Sequence, residues 1–182
     1  MNSIKPWKTI KSKLVFDNKW CRVRQDEVEL PSGEIVDDYF INVRPDIVLI
    51  LAITCDRNVV FVRQYRHGVG EILLELPGGG FNSMEEDSLQ AAARELEEET
   101  GYVSDHMVSL ATLYDNPVKD TNTIHLIMAE QAQPSGIQNL DITEEVEIVL
   151  VPIDEIMRKI EQGEICVSGT IAALFLGLKF LS

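Results

Sequence analysis

The stretch RELEEETG, residues 94–101, sets Glu95, Glu97, Glu98 and Glu99 in five consecutive positions beside Arg94. Like charges three or four residues apart on a helix repel, at about 0.2–0.5 kcal/mol per pair. Such a helix is either a solvated surface element or the seat of something strongly positive. With Glu95 as origin and about 100° per residue, Glu98 falls at about 300° and Glu99 at about 40°. Glu97, at about 200°, points away. Leu89, Ala92, Ala93 and Leu96 form the apolar stripe, so three carboxylates are expected beside the buried face rather than opposite it. Carboxylates crowded at a partly buried edge raise one another's pKa unless a cation neutralises them. Hard oxygen donors at this density suit Mg²⁺, with Mn²⁺ as the other candidate.

The pattern continues upstream. Gly80 is followed after five residues by Glu86, and after seven more by Arg94-Glu95-Leu96-Glu97-Glu98-Glu99-Thr100-Gly101-Tyr102. This resembles the complete Nudix box of the Nudix hydrolases. The resemblance implies an α/β/α sandwich with a mixed sheet, and metal-dependent hydrolysis of a nucleoside diphosphate linked to another group. It also implies Glu95, Glu98 and Glu99 as metal ligands, helped by a backbone carbonyl of the glycine loop, with Arg94 and Glu86 orienting them. The run Pro77-Gly78-Gly79-Gly80 leaves both Gly79 and Gly80 open for the position of the box glycine.

The flanks resemble one subgroup. VRQYRHGVGEILLELPGGG (62–80) is similar to the segment before the box in ADP-ribose and nucleoside-diphosphate-sugar pyrophosphatases, and Pro117 follows Tyr102 by fifteen residues as in ADP-ribose hydrolases. The subgroup implies a homodimer in which the N-terminal β segment helps build the sites. Asn116-Pro117-Val118-Lys119-Asp120-Thr121-Asn122 lacks the glutamate that often follows this proline, which favours a broader nucleoside-diphosphate-sugar hydrolase.

Several residues are candidates for substrate contact. The Arg66 guanidinium suits a bidentate phosphate clamp, or is simply exposed. Glu75 binds ribose hydroxyls or a second metal, or is a buried strand-end carboxylate. One of Trp20, Tyr39 and Phe40 can stack on adenine, or these rings serve a core or dimer interface. Arg44 and Pro117 complete the set. Loop 133–145 supplies Asp141, Glu144 and Glu145; Glu144 or Glu145 is favoured as general base, against a merely solvated acidic loop. Two other readings stay open: hydrolysis of another nucleotide such as a dinucleoside polyphosphate, and a Nudix-fold module that binds a nucleotide without cleaving it.

The elements that must hold these residues follow from pattern. Residues 9–45 read as β structure with a turn at Pro31-Ser32-Gly33, and a boundary near Pro45 separates a 1–45 segment, for dimerisation and substrate contacts, from a 46–182 hydrolase domain. DIVLILAIT (46–54) reads as a buried strand, and VVFVRQY (59–65) and ILLEL (72–76) as its partners. Asp87 or Ser88 can cap a helix from Leu89 to Thr100, closed by Gly101. Residues 109–115, 123–131 and 145–152 read as further strands. Ile153, Ile156, Met157 and Ile160 mark an amphipathic helix, and Ser168 is expected to cap a last one.

The net charge of −14 argues against nucleic acid as a partner, while leaving phosphorylated small molecules possible if a metal supplies positive charge. The three cysteines, Cys21, Cys55 and Cys166, have no metal or disulfide spacing. With no long apolar run, the sequence reads as soluble and cytoplasmic, with a nucleotide-sugar substrate and no nucleic-acid or membrane partner.

Overall fold

A computed structural model describes residues 3–134, 136–140, 142 and 144–181. The chain divides into two compact units, Met1–Pro45 with Tyr114–Asn122, and Asp46–Leu113 with Thr123–Ser182.

The first unit is a three-stranded antiparallel sheet, β1 (Lys8–Asp17), β2 (Arg22–Glu29) and β3 (Ile35–Asn42), in that order. Gly33 turns the chain between β2 and β3 at φ 86, a left-handed value that costs glycine little. All ten residues of β1 are exposed, among them Ile10, Leu14, Val15 and Phe16. The turn at 116–122 is stitched to β3: the Asn42 amide donates to the Lys119 carbonyl at 2.7 Å, and the Thr121 amide to the Asn42 carbonyl at 3.1 Å.

The second unit is built on a mixed sheet. Its path runs β11 (Val146–Pro152), β5 (Asn58–Arg66), β4 (Asp46–Thr54), β10 (Thr123–Pro134) and β8 (Tyr102–Val103). Off that path, β6 (Glu71–Glu75) pairs with β5, β7 (Gly80–Phe81) with β4 and β9 (His106–Tyr114) with β10. β4 and β10 are parallel; β4 is antiparallel to β5 and β7.

Alternation along β4 feeds two cores. Val48, Ile50 and Ala52 pack with Ala91, Ala92 and Leu96 of α1 (Ser88–Thr100). Leu51 and Ile53 pack with Ile156 of α2 (Ile156–Glu161) and Ala173 and Leu174 of α3 (Ser168–Leu178). Successive strand residues point to opposite faces, so helices cover both sides of the sheet. This is the α/β/α sandwich expected from the sequence.

Some local expectations change. Asp87 alone caps α1, accepting from the Leu89 and Gln90 amides at 2.9 and 3.0 Å; Gln90 reaches back to the Asp87 amide, completing a capping box. Ser168 is the first residue of α3 and makes no capping bond. The amphipathic stretch after Pro152 opens as a 3-10 turn, Ile153–Glu155, before α2. The buried face of α1 is rotated from expectation. Leu89 and Ala93 are exposed, whereas Ala91, Ala92, Leu96, Glu99 and Thr100 are buried. Glu99 therefore lies within the apolar stripe, not beside it.

Candidate active site

The glycine loop joins β6 to β7 and lies under α1. The Val48 amide donates to the Gly79 carbonyl and the Ile50 amide to the Pro77 carbonyl, both at 2.9 Å, and Gly80 pairs with Ile47. These bonds fix the loop to β4. The Gly78 amide in turn donates to Glu99 Oε2 at 2.8 Å. A side chain at Gly79 would displace the Glu95 carboxylate, since a Cβ there would lie 2.4 Å from its carboxyl carbon.

Arg94 organises the remaining box carboxylates. Its Nη1 donates to Glu95 Oε1 at 2.7 Å and to Glu98 Oε2 at 3.0 Å, and its Nη2 to Glu86 Oε1 at 2.7 Å. These contacts, Glu86 foremost, hold the guanidinium firmly protonated. Among the described residues no three acidic, histidine or cysteine side chains stand as a ready-made metal cage. Arg94 takes Glu95 and Glu98, and the Gly78 amide takes Glu99.

Burial dominates the electrostatics. Desolvation pushes the Glu99 carboxyl up to about 8, against the Gly78 hydrogen bond, with the charges of Glu95 and Glu144 raising it further and Arg66 opposing. Glu95 is also raised, first by burial, then by Glu98 and Glu144 against the pull of Arg94. Buried carboxylates raised by their neighbours are groups that a cation would relieve. Glu95, Glu98 and Glu99, with the peptide oxygens of the glycine loop, make an all-oxygen donor set that fits a hard divalent ion. Gly79 keeps space at Glu95 that any larger residue would fill.

The other candidates fall in two places. In the second unit, Arg66 Nε donates to Glu75 Oε2 at 2.6 Å, and Glu75 is buried. Glu144 acts electrostatically on both Glu95 and Glu99, whereas Glu145 is exposed in a separate groove with Arg63, Tyr65 and Glu147. Asp141 lies outside the described residues. In the first unit, Trp20 and Arg44 line a cavity of about 590 Å³ with Lys19, Cys21, Arg22 and Asn42. The Tyr39 hydroxyl donates to the Val118 carbonyl at 3.0 Å, and its ring meets Lys119 Nζ at 4.8 Å and the Trp7 ring edge-on at 5.4 Å. Pro117 is an exposed turn residue.

Sequence reasoning missed three contacts. The Gly78 amide on Glu99 was hidden in the glycine run. Gln138 Nε2 donates to the Glu99 carbonyl at 2.7 Å, and the Asn139 amide to the Glu98 carbonyl at 2.8 Å, tying residues 136–140 to the last turn of α1. No local sequence signal announces either.

Residues 43–167 match the NUDIX domain family model. The chain belongs to the Nudix family. Residues 7–42 match a second model, the nucleoside diphosphate sugar hydrolase N-terminal domain. Among curated relatives, the methanol dehydrogenase activator of Bacillus methanolicus is 32% identical over 168 residues, covering 92% of this chain and 90% of that one. The ADP-ribose pyrophosphatase of Bacillus subtilis (strain 168) is 29% identical, covering 94% and 93%. A solved structure described as an ADP compounds hydrolase superposes with a TM-score of 0.87 at 23% identity, covering 100% of this chain and 97% of that one, a likeness of fold. As a Nudix enzyme the chain belongs to a family that generally works with divalent metal ions, and no helix among the described residues is long and apolar enough to cross a membrane.

Proposed function

We propose that this Nudix hydrolase cleaves the diphosphate linkage of ADP-ribose and related nucleoside diphosphate sugars, releasing a nucleoside monophosphate and a sugar phosphate. One observation carries the reading: Arg94 gathers Glu86, Glu95 and Glu98 while Glu99 is buried on the Gly78 amide.

Glu95, Glu98, Glu99 and the carbonyl of Gly79 or Gly80 would hold Mg²⁺, or Mn²⁺ in its place. A bound divalent ion there offsets diphosphate charge and lowers the pKa of water. The chain supplies the rest. Arg94 keeps the box carboxylates in register from within the cluster. The Arg66 fork, aimed by Glu75, grips phosphoryl oxygens and stabilises the charge that grows on them. Glu144, whose charge bears on Glu95 and Glu99, takes the proton from the attacking water.

The N-terminal unit supplies the nucleoside contacts through Trp20 and Arg44, with Tyr39 and Pro117 shaping the turn behind them. The exposed apolar residues of β1 support a homodimer, since a solvated strand of this composition is otherwise an open template for association. Three free, exposed cysteines suit a reducing, cytoplasmic compartment.

The deciding experiment is Glu98→Gln assayed with ADP-ribose and Mg²⁺. AMP release should fall by at least about a hundredfold with the melting temperature in EDTA preserved, on the scale of losing one charge-stabilising group. Unchanged turnover would remove the metal assignment. A panel of ADP-ribose, other sugar nucleotides and dinucleoside polyphosphates fixes the substrate class.

A further inference from the structure

Asp120 is a shielded carboxylate that the mechanism leaves unused. Asp120, its side chain 7% exposed, sits in the turn where the sequence departs from the ADP-ribose pattern. Both its oxygens are engaged: Oδ1 accepts from Asn42 Nδ2 at 2.7 Å, and Oδ2 pairs with Arg44 Nη1 at 3.4 Å. Asn42 and Arg44 line the 590 Å³ cavity with Trp20, Lys19 and Arg22. A cavity of this size suits a nucleoside, and its cations suit an attached phosphate.

An ionised carboxylate only accepts hydrogen bonds, whereas a side-chain amide has a donor end and an acceptor end. Asp120 therefore fixes which way the Asn42 amide faces. Its nitrogen donates to Asp120, so its carbonyl oxygen is the end left to accept.

We propose that Asp120 sets base selectivity by locking the Asn42 amide with its oxygen available to the groove. That oxygen accepts from an exocyclic amino group, the 6-amino of adenine or the 4-amino of cytosine, and opposes a carbonyl at the same place. Asp120 is a positioning residue; Asn42 is the group that meets the base. The inference rests on the reading that this groove holds the nucleoside.

The test is calorimetric titration of the full-length protein with AMP, IMP, CMP and UMP, each pair exchanging an exocyclic amino group for a carbonyl, with a proton gained on the adjoining ring nitrogen. Wild type should bind AMP over IMP, and CMP over UMP, by about tenfold, the scale of one net hydrogen bond. Asp120→Asn, which lets the Asn42 amide turn, should reduce both ratios to about twofold. Asn42→Ala, which keeps the Asp120–Arg44 pair, should do the same. Equal weakening of all four nucleotides would make Asp120 a structural support only and overturn the proposal. Trp20→Ala separates the two readings. Unchanged AMP affinity there removes the groove from nucleoside binding altogether; weakened AMP affinity with an unaltered AMP/IMP ratio in Asp120→Asn defeats the selectivity proposal alone.

Discussion

The Glu95 carboxylate lies against the backbone of Gly79, so close that a Cβ on Gly79 would sit 2.4 Å from its carboxyl oxygen Oε2. At Gly78 the obstacle is different: a Cβ there would meet the Val48 carbonyl oxygen at 2.1 Å. A side-chain end can swing aside, whereas a strand carbonyl cannot. Gly79→Ala is therefore expected to keep the fold while cutting kcat/KM by about a hundredfold, the scale of a displaced catalytic group. Gly78→Ala is expected to destabilise by about 3 kcal/mol through overpacking. Urea denaturation beside the ADP-ribose assay distinguishes them; equal stability of the two variants would contradict the geometry.

Glu144 and Glu145 are neighbours in sequence and separate in setting. Glu144 bears on Glu95 and Glu99, while Glu145 is exposed in the groove with Arg63 and Glu147. Glu144→Gln should lower kcat by at least about a hundredfold, the usual contribution of a general base, with little change in KM. Glu145→Gln should stay within about twofold of wild type. The same loss in both would return the loop to a general electrostatic role.

Divalent metal should stabilise the folded chain. Crowded carboxylates that Arg94 only partly offsets are relieved by a cation, and a ligand at a hundred times its Kd adds about 2.7 kcal/mol. Thermal unfolding with Mg²⁺ should lie several degrees above unfolding with EDTA, and Glu98→Gln should shrink the difference. An increment that survives in Glu98→Gln would put the ion elsewhere.

Asp46 gives the fold an acid limit. Burial raises its carboxyl, but the amide and hydroxyl of Thr123, the Ser83 side chain and the His125 charge outweigh this and hold it below the ordinary 3.8. The amide and hydroxyl contacts are 2.8 and 2.9 Å. A depressed folded pKa adds stability above the unfolded value and loses it as pH falls through the folded one. Asp46→Ala should thus be less stable than wild type at pH 7, by about 1 kcal/mol for the bonds removed, with the gap closing below about pH 4. A gap that widens in acid would reverse the assignment.

The box and its strand were legible because their signals are local. DIVLILAIT reads as a buried strand from its own composition, and the box residues from Gly80 to Tyr102 name their own spacing. What the sequence withheld depends on distant chain. Glu99 was placed beside the apolar stripe because the wheel does not show the glycine loop closing over it. Ser168 was expected to cap a helix that it instead begins. β7 and β8, two residues each, are too short for any periodicity and exist through their pairings with β4 and β10. Asp120 gained meaning only when Asn42 and Arg44, more than seventy residues earlier, were seen on it.

β4 has a bearing on how the second unit comes apart. Ile50 belongs to the core under α1 and Leu51 to the core under α3, so each layer is anchored in the same nine residues. A slip of one position would exchange the two sets at once. The layer under α1 cannot melt while its opposite survives, and amide protons in α1 and α3 should share one opening free energy in hydrogen exchange.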